Sequence, residues 1–338
     1  MTDTILVTGG SGYIAGFLIR QLVAGGWTVR TTIRDRAREG EVRGWLGVDD
    51  VRLSFHAADL WRDAGWAEAA AGCSHVAHVA SPLPSGATKR DDDLIVPARE
   101  GAVRALRAAR DAGVRRFVMT SSVAAITYGH PDRDRTYTEA DWTDVAAPGV
   151  HAYPRSKTLA ERAARDWVAA EGEDIEYVSI NPSAVLGPVL GRDNSTSLEI
   201  VSRLMSGSLP GLPNLGFGVV DVRDVADLHV RALTAPDLAG ERFIASGPFL
   251  TVGEVAAILR ERLGREARRV PTRRLPDWLL RAVGLVDPQV RMVTGELNRR
   301  RVTPSDHARD RLGWVPRPAA DTIADTARSL IDAGIVRV

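Results

Sequence analysis

A glycine-rich turn between a short apolar strand and an amphipathic helix constrains the fold of this chain more than any other feature. Residues 4–8 form a β-branched and apolar run, Gly9-Gly10-Ser11-Gly12-Tyr13-Ile14 follows, and apolar residues then recur at helical spacing up to Leu22. Glycines let a turn bend tightly and approach a pyrophosphate, which the free N–H groups and the dipole of a helix N-terminus stabilise. The stretch therefore predicts a strand, a turn and a helix that together bind a dinucleotide.

Strands and helices alternate through the first half of the sequence. The pattern predicts further strands at 28–33, 51–57, 74–79, 116–121 and 175–181, and a long helix at 91–112. Alternation at this spacing implies right-handed crossovers and a parallel sheet with helices on both faces. We therefore predict an α/β fold, a Rossmann-type doubly wound parallel sheet, whose ligands sit beyond the carboxyl ends of the strands.

The end of the second strand indicates which dinucleotide binds. In NAD-binding chains an acidic residue at this place contacts the ribose 2′-hydroxyl, about 20 residues after the glycines. Here the strand is followed by Arg34, whose planar and permanently charged guanidinium suits a 2′-phosphate. Arg34 favours NADP(H) as the cofactor, although Asp35 follows directly and leaves NAD open. Further cationic candidates, for which a solvated surface is the better interpretation, are Arg36, Arg38 and Arg43.

The charge balance and the cysteine content limit the classes of partner and the cellular compartment that we expect for this chain. The sequence has 44 basic and 43 acidic residues, so nothing indicates nucleic acid or an anionic membrane as a partner. The single Cys73 cannot form an intrachain disulfide, which suits a reducing compartment. The sequence shows no secretion signal and no run of the ~20 apolar residues that span a bilayer. We expect a cytoplasmic monomer or homodimer that acts on a small molecule.

A tyrosine and a lysine stand four residues apart at the start of a predicted helix. Residues i and i+4 lie on one helical face, so the phenol of Tyr153 and the ammonium of Lys157 share one small volume. The cation is expected to lower the pKa of the tyrosine by about 1–3 units. Such a tyrosine can give a proton to an oxygen and take one back near neutral pH. Since proline is tolerated in a first helical turn, we expect the helix to begin at Pro154.

Polar and small residues at other strand ends are predicted to join this pair. Ala80-Ser81 and Ser121-Ser122 follow the fourth and fifth strands, and the carboxyl ends of parallel strands share one edge of the sheet. Asp59 follows the third strand and is equally well interpreted as a contact to adenine or as the N-cap of the next helix. His75 and His78 lack the further ligands of a zinc site, so we expect packing roles and no metal.

These residues resemble the motifs of the extended short-chain dehydrogenases/reductases. The resemblance rests on the glycine turn at 8–12, on Thr120-Ser121-Ser122 and on Tyr153-x-x-x-Lys157. Finer features are similar to a branch that includes dihydroflavonol reductases, cinnamoyl-CoA reductases and microbial NADPH-dependent carbonyl reductases. Those features are Thr31–Asp35, His78–Pro82, Glu139–Trp142, Ser156–Glu161, Asn181–Ser183, Leu186–Pro188 and Val220–Ala226. The similarity covers nearly the whole chain and implies reduction of an aldehyde or ketone to an alcohol with NADPH.

The resemblance also implies a role for each matching residue. Ser122 would hydrogen-bond the substrate carbonyl, with Ser121 as the alternative. Tyr153 would be the general acid, and Lys157 would bind the nicotinamide ribose and lower the pKa of the tyrosine. Arg34 would hold the 2′-phosphate. The residues expected to contact the cofactor are Gly9, Gly12, Tyr13, Ile14, Arg34, Asp59, Leu60, Val79, Ala80, Ser81, Tyr153, Lys157, Pro182, Ala184, Val185 and Ser197.

The 338 residues are predicted to divide into two parts. We assign residues 1–181 to an NADP-binding Rossmann domain, on which 219–235 pack back, and 182–338 mainly to a substrate-binding lobe. The lobe is predicted to contain helices at 195–207 and 252–263 and a loop at 209–218, and Trp278 and Trp314 are predicted to be core residues. Candidate pocket residues, for which core packing is an equally good interpretation, are Leu83, Tyr128, His130, Val150, Met205, Leu215 and Phe217.

Two other functions remain open on the sequence. A nucleotide-sugar epimerase or dehydratase that retains NAD shares the tyrosine, lysine and serine, but Arg34 in place of an acidic residue argues against it. A non-catalytic NADPH-sensing regulator does not require an intact Tyr–Lys–Ser set. Protein purified with bound NAD would favour the first, and NADPH binding without oxidation across many carbonyl compounds would favour the second.

Overall fold

The computed structural model describes residues 3–48, 51–82, 90–131, 134–172, 174–191 and 197–337. Its strands are β1 (Thr4–Val7), β2 (Thr28–Ile33), β3 (Leu53–Ala57), β4 (His75–His78), β5 (Arg116–Thr120), β6 (Asp134–Thr136), β7 (Glu176–Pro182), β8 (Ala184–Leu186), β9 (Gly216–Asp221), β10 (Arg242–Ala245), β11 (Phe249–Thr251) and β12 (Arg300–Val302). Its α-helices are α1 (Tyr13–Ala24), α2 (Glu39–Leu46), α3 (Trp66–Ala70), α4 (Asp92–Asp111), α5 (Ala152–Glu171), α6 (Leu198–Ser206), α7 (Val222–Thr234), α8 (Val252–Leu263), α9 (Asp277–Val283), α10 (Pro288–Thr294), α11 (Asp306–Leu312) and α12 (Ala319–Asp332). None of the helices within the described ranges is long and apolar enough to cross a bilayer.

A seven-stranded parallel sheet forms the centre of the molecule, in the order β3-β2-β1-β4-β5-β7-β10. Every neighbouring pair in it is parallel, with Val7 opposite Thr31 and Thr120 opposite Ile180 near the carboxyl ends. The strand order reverses between β1 and β4, which is the place where ligands of such sheets bind. The predicted Rossmann-type doubly wound α/β fold is confirmed, and it places the site at the carboxyl edge beside β1.

Helices cover both faces of the sheet. On one face α1 packs against α7, and Leu18 and Leu228 belong to their shared apolar core. On the other face α4 packs against α5 through small residues such as Ala102 and Ala160, which let the two helices approach closely. The site at the sheet edge is therefore held by elements that are packed along their whole length.

A further apolar core lies beside the carboxyl edge of the main sheet. It is formed by α6, α8 and α12 against a three-stranded sheet in the order β11-β9-β8, and it buries Leu204, Val255 and Ile323 completely. Strands β12 and β6 form a separate parallel pair. These elements bring the second half of the chain, from β8 onwards, to the edge of the main sheet at which the glycine turn lies.

The structure differs from the sequence-based prediction at several points in the second half. Strands β8, β10, β11 and β12 were not predicted, and β10 extends the main sheet beyond β7. Strand β9 begins at Gly216, so the loop predicted at 209–218 is shorter. The prediction for Trp278 is wrong, because α9 buries none of its residues and leaves this side chain 68% exposed. Trp314 is buried as predicted, and its indole N–H donates to the Asp224 carbonyl at 2.9 Å.

Candidate active site

The glycine turn lies between β1 and α1 and requires glycine at position 9. Gly9 has a φ of +74°, and a Cβ there would come within 3.0 Å of Ala80. The N–H of Gly9 donates to the Thr32 hydroxyl at 2.9 Å, and the N–H of Gly10 donates to the Thr32 carbonyl at 2.8 Å. Gly12 precedes α1 without any side-chain cap, so the first N–H groups of the helix are open to an anion.

Thr8 connects this turn to the end of β4. Its hydroxyl accepts a hydrogen bond from the N–H of Ala80 at 3.0 Å and lies 3.1 Å from Nδ1 of His78. Burial, with a smaller contribution from the Lys157 ammonium, lowers the pKa of His78 to about 3. His78 is therefore a neutral packing residue, as predicted, and its coupling to Lys157 shows that this lysine lies near the turn.

Tyr153 and Lys157 occupy the first two turns of α5. The helix begins at Ala152, two residues before the predicted start, and Pro154 lies in the first turn, where a missing N–H breaks no helical hydrogen bond. Nζ of Lys157 lies 6.0 Å from the centroid of the Tyr153 ring. The spacing thus places both side chains on one face of α5.

Ser122, two residues after the end of β5, reaches this pair from the sheet. Its hydroxyl lies close enough to Tyr153 to lower the pKa of the phenol in part, and its Oγ donates to the Pro182 carbonyl at 3.5 Å and accepts from the N–H of Ala124 at 3.1 Å. The neighbouring Ser121 donates instead to Glu161 at 2.5 Å and is 3% exposed. Three distant segments therefore bring Ser122, Tyr153 and the lysine together, while Ser121 faces away from them.

The ionisation of Tyr153 corrects the sequence-based prediction. Burial raises the pKa of Tyr153 above its ordinary value, and the hydrogen bond with Ser122 offsets only part of the rise. The expected lowering by Lys157 is wrong for this structure, since the cost of desolvating the phenolate exceeds the attraction of a cation at this distance. At neutral pH Tyr153 therefore carries its proton, which is the form that can donate to an oxygen.

Lys157 is itself held in an unusual environment. Its residue is 6% exposed, and the ammonium has no ion-pair partner within the described part of the chain. Burial lowers the pKa of Lys157 to about 8, and the Glu161 carboxylate raises it in part. A buried ammonium gains stability when a ligand accepts its hydrogen bonds, and ribose hydroxyls can do so.

Arg34 is available to bind a phosphate. It is exposed just beyond β2 and forms no ion pair with any described residue. The other three candidate arginines have acidic partners: Arg36 and Arg43 pair with Glu39, and Arg38 pairs with Glu41. Their interpretation as surface residues agrees with the structure, and Arg34 remains the cation at the strand end.

The remaining cofactor candidates lie along the carboxyl edge of the sheet or close to it. Val79, Ala80 and Ser81 continue from β4, Pro182 ends β7, Ala184 and Val185 belong to β8, and Ser197 immediately precedes α6. Tyr13 and Ile14 begin α1, and the Tyr13 hydroxyl is buried without a hydrogen-bond partner. Leu60 packs in the core shared with α4.

Asp59 does not cap a helix. Its carboxylate accepts from the N–H of Trp61 at 3.0 Å and so stabilises a turn, whereas α3 begins only at Trp66, after Gly65. The N-cap interpretation is therefore wrong, because several further residues separate the strand end from the helix. A contact with adenine stays a prediction.

The substrate candidates separate into core residues and residues near Tyr153. Met205 is completely buried among α6, α8 and α12, which agrees with the alternative interpretation of it as a core residue, and Val150 is 5% exposed. Leu215 and Phe217 are half-buried against that same core. Leu83 lies outside the described residues.

Tyr128 is a neighbour of Tyr153. Burial and the Glu296 carboxylate raise the pKa of Tyr128 to about 12, although the Arg301 guanidinium acts to lower it. The Arg301 guanidinium stands 4.2 Å from the Tyr128 ring centroid and pairs with Glu296. Nε2 of His130 donates to the Ile126 carbonyl at 3.0 Å.

Several residues of the site were missed by the sequence analysis. Thr8 and Thr32 fix the turn by hydroxyl contacts, and Arg301 approaches Tyr128 from the C-terminal part of the chain. Glu161 is a further case, although its position four residues after Lys157 was a readable signal. No group of three or more His, Cys, Asp or Glu residues in the described ranges is arranged to hold a metal.

The arrangement fits a dinucleotide. The uncapped N-terminus of α1 can take up phosphates beside Gly9 and Gly12, and in the described part of the chain neither the exposed guanidinium of Arg34 nor the buried ammonium of Lys157 has an ion-pair partner. These groups come from the turn after β1, from the end of β2 and from α5.

Comparison with known proteins adds family relationships. The model of the NAD dependent epimerase/dehydratase family matches residues 5–245. Dihydroflavonol 4-reductase of Zea mays is 34% identical over 268 residues, which cover 77% of this chain and 74% of the relative. Cinnamoyl-CoA reductase CAD2 of Medicago truncatula is 35% identical over 272 residues, which cover 77% of this chain and 80% of the relative.

Solved structures agree with these relatives. The crystal structure of yeast methylglyoxal/isovaleraldehyde reductase Gre2 complexed with NADPH is 25% identical, with a TM-score of 0.83 over 98% of this chain and 100% of that chain. Gre2 from Candida albicans in complex with NADPH is 24% identical, with a TM-score of 0.81 over 98% of this chain and 99% of that chain. At that lower identity the similarity shows the fold alone.

Proposed function

The chain belongs to the NAD dependent epimerase/dehydratase family, within the extended short-chain dehydrogenases/reductases, and we propose that it reduces an aldehyde or ketone to an alcohol with NADPH. It is an NAD(P)-dependent oxidoreductase, since its relatives are named as reductases over most of its length. The names of those relatives include a dihydroflavonol, a cinnamoyl-CoA, methylglyoxal and isovaleraldehyde, all of them carbonyl compounds. We therefore propose a type of reaction, the reduction of a carbonyl group, and no single compound as the substrate.

One observation carries this proposal. The hydroxyl of Ser122, the phenol of Tyr153 and the ammonium of Lys157 converge beside the glycine turn from segments that are far apart in the sequence. A packing role explains each residue alone, but it does not explain why two hydroxyl groups and a buried cation meet at the ligand edge of the sheet.

The protonation states support the reductive direction. Bound NADPH supplies the hydride that the carbonyl carbon accepts. Ser122 and Tyr153 both offer O–H groups to the carbonyl oxygen, and Tyr153 gives its proton to that oxygen as negative charge develops there. The raised pKa of Tyr153 keeps this proton in place before the reaction. Positioned acid catalysis of this kind contributes about 10²–10⁴-fold to rate, and fixed donors at a developing oxyanion add further stabilisation.

Lys157 has two proposed tasks in this scheme. Its buried ammonium donates hydrogen bonds to the nicotinamide ribose, and its positive charge favours the phenolate that Tyr153 becomes after it has given up its proton. Solvent then returns a proton to Tyr153. Both tasks require the charged form of Lys157, which burial disfavours by lowering the pKa to about 8.

The two halves of the chain have different proposed roles. Residues 1–181, together with 219–235, hold NADPH, and Arg34 binds its 2′-phosphate. Residues 182–338 mainly form the substrate-binding side of the site. Tyr128 contributes to that side from the first part of the chain, and Phe217 contributes from the second. Near Tyr128 the charge of Arg301 is balanced by Glu296, which suits an uncharged carbonyl compound.

A panel of aldehydes and ketones tests the proposal, with NADPH oxidation followed by absorbance and each reaction repeated with NADH. Oxidation of NADPH by at least one class of carbonyl compound, faster than oxidation of NADH, is the expected result. Protein that carries tightly bound NAD after purification and converts a nucleotide sugar would support an epimerase or dehydratase instead. NADPH binding without oxidation across the panel would support a regulator.

A further inference from the structure

The site contains a buried carboxylate to which the proposed mechanism assigns no role. Glu161 lies on α5 one turn after Lys157 and is completely buried. Its two carboxylate oxygens accept from Arg242 Nε at 2.7 Å, Ser121 at 2.5 Å, Ser179 at 2.9 Å and Asn181 at 2.9 Å. Burial works to raise the pKa of Glu161, but Arg242 and these donors together lower it below its ordinary value. Glu161 is therefore an ionised carboxylate inside the protein.

Arg242 makes this ionised state possible. The side chain of Arg242 is 5% exposed on β10, and its guanidinium also donates to the carbonyls of Glu139 and Asp141 and stands 3.8 Å from the centroid of the Trp142 ring. A buried ion pair is costly to build and is weak evidence for a gain in stability. A gain in stability therefore does not by itself explain why an ion pair is buried one helical turn from Lys157.

Asn181 joins the same carboxylate to Ser122. Its side-chain amide donates to Glu161 at 2.9 Å and to the carbonyl of Ser122 at 3.1 Å. Glu161 is thus fixed from β5, β7 and β10 at once and cannot turn toward or away from Lys157. The distance between the two charges is set by α5 itself, because residues i and i+4 are neighbours on a helix.

The use of lysine at position 157 is selective in this chain. Among 44 basic residues the sequence has two lysines, Lys89 and Lys157, and arginine fills all other basic positions. An arginine stays charged in any protein environment, whereas the charge of a buried lysine depends on its neighbours. The charge of Lys157 therefore needs support that an arginine at this position would not need.

We propose that Glu161 is a positioning residue that keeps Lys157 in its ammonium form at neutral pH through its fixed negative charge. The inference rests on the proposed function for its consequence, since Lys157 is assigned there to the ribose and to the tyrosine. It assigns no chemical step to Glu161, which touches neither substrate nor cofactor. Arg242 and Asn181 serve this role indirectly by holding the carboxylate ionised and in place.

The other charged and titratable groups around Lys157 do not take over this role. From α5 itself the second neighbour is Tyr153, which is uncharged at neutral pH. From β4 comes His78, which is also uncharged there because its pKa is about 3. Two ion pairs connect the α4 region to α5, and neither involves Lys157. Asp91, the residue before α4, pairs with Arg155 at 3.4 Å, and Arg110 of α4 pairs with Glu171 at 3.2 Å.

The small number of lysines permits a direct measurement. In a Lys89→Arg protein, isotope-labelled lysine gives a single side-chain NMR signal, which reports the pKa of Lys157. We expect this signal to titrate near pH 8, the value that burial imposes. In the Glu161→Gln variant it should titrate lower by roughly half a pH unit or more, the direction that loss of a nearby opposite charge requires.

Two further variants make the outcome decisive. Glu161→Gln leaves Arg242 without this partner and can impair folding, so Glu161→Gln/Arg242→Gln removes both charges. The double variant should still shift the titration downward, by less than the single variant, because loss of the more distant Arg242 cation acts in the opposite direction. Glu176→Gln is the matched control, because it breaks the ion pair with Arg116 on β5 and should leave the pKa of Lys157 unchanged. Lys157 titrating at one pH in all four proteins would overturn the proposal.

The activity of the same proteins separates this inference from the proposed function. If a carbonyl compound is reduced, the alkaline fall in kcat should move to lower pH in the Glu161 variants together with the NMR titration. A shifted NMR titration without reduction of any carbonyl compound would refute the proposed function and leave the role of Glu161 intact. Reduction with an unshifted titration would refute the role of Glu161 alone.

Discussion

Asp35 accepts a hydrogen bond of 2.9 Å from the backbone N–H of Ala37 and thereby caps the short 3₁₀ turn that follows β2. Its carboxylate is engaged by its own chain, while the preceding Arg34 is exposed and unpaired among the described residues. Asp35, the acidic residue that left NAD open as a cofactor, thus has a structural role, whereas no described residue pairs with Arg34. This relationship supports a cofactor with a 2′-phosphate.

Replacing Arg34 by glutamine should weaken NADPH binding without affecting NADH. Hydrogen bonds to charged groups contribute about 1.5–3 kcal/mol, so the Kd for NADPH should rise by roughly 10- to 100-fold. Titration of both dinucleotides, followed by fluorescence, measures the ratio. Arg36→Gln is the matched control, since Arg36 lies two residues after Arg34 but pairs with Glu39. An unchanged NADPH-to-NADH preference in the Arg34 variant would contradict this assignment.

Reductase activity should fall on the alkaline side near pH 8. Burial lowers the pKa of Lys157 to about 8 and raises the pKa of Tyr153, so the lysine loses its proton first as the pH rises. The charged lysine is the active form, and activity is therefore retained below this pKa and lost above it. A profile of kcat/KM from about pH 6 to about pH 10 locates the limb. A flat profile across that range would show that no group with this pKa is required.

Two buried histidines should make the fold sensitive to mild acid. Burial lowers the pKa of His78 to about 3 and that of His229 to about 4. Below the unfolded value near pH 6.5 the unfolded chain takes up protons that the native imidazoles refuse, so stability is present above that pH and is lost as the pH falls. The loss at about pH 5 is about 2 kcal/mol per imidazole.

Denaturant unfolding at about pH 7 and about pH 5 measures this loss as a difference in the free energy of unfolding. The two imidazoles together should cost about 4 kcal/mol. A His229→Gln variant should lose about half of that pH dependence, because one of the two groups no longer titrates. Equal free energies at the two pH values would show that these imidazoles are protonated in the native state.

Regular features of the sequence predicted the fold and the principal residues of the site. The strand, glycine turn and helix at the N-terminus, and the four-residue spacing of Tyr153 and Lys157, are local patterns whose geometry is set by the backbone. Arg34 was identified by its place after a strand for the same reason. These predictions needed no knowledge of which elements touch in the folded chain.

The predictions that failed depend on contacts between distant segments. Trp278 was predicted to be a core residue, but α9 buries none of its own residues and leaves Trp278 68% exposed. The pKa of Tyr153 is set by the burial of its ring against distant segments, which the four-residue spacing from Lys157 cannot reveal. Arg242, which lies on a strand that was not predicted, is likewise paired with Glu161 across the sheet.

The most direct test of the central claim is the rate of NADPH oxidation by a Tyr153→Phe variant with a carbonyl compound that the wild-type chain reduces. We expect kcat to fall by about 10²–10⁴-fold, because only the proton donor is removed, and we expect the affinity for NADPH to stay nearly unchanged. A Tyr177→Phe variant, which removes a different buried phenol, one that is hydrogen-bonded to Met119 on β5, should keep its activity. Wild-type turnover by the Tyr153→Phe variant would contradict the account.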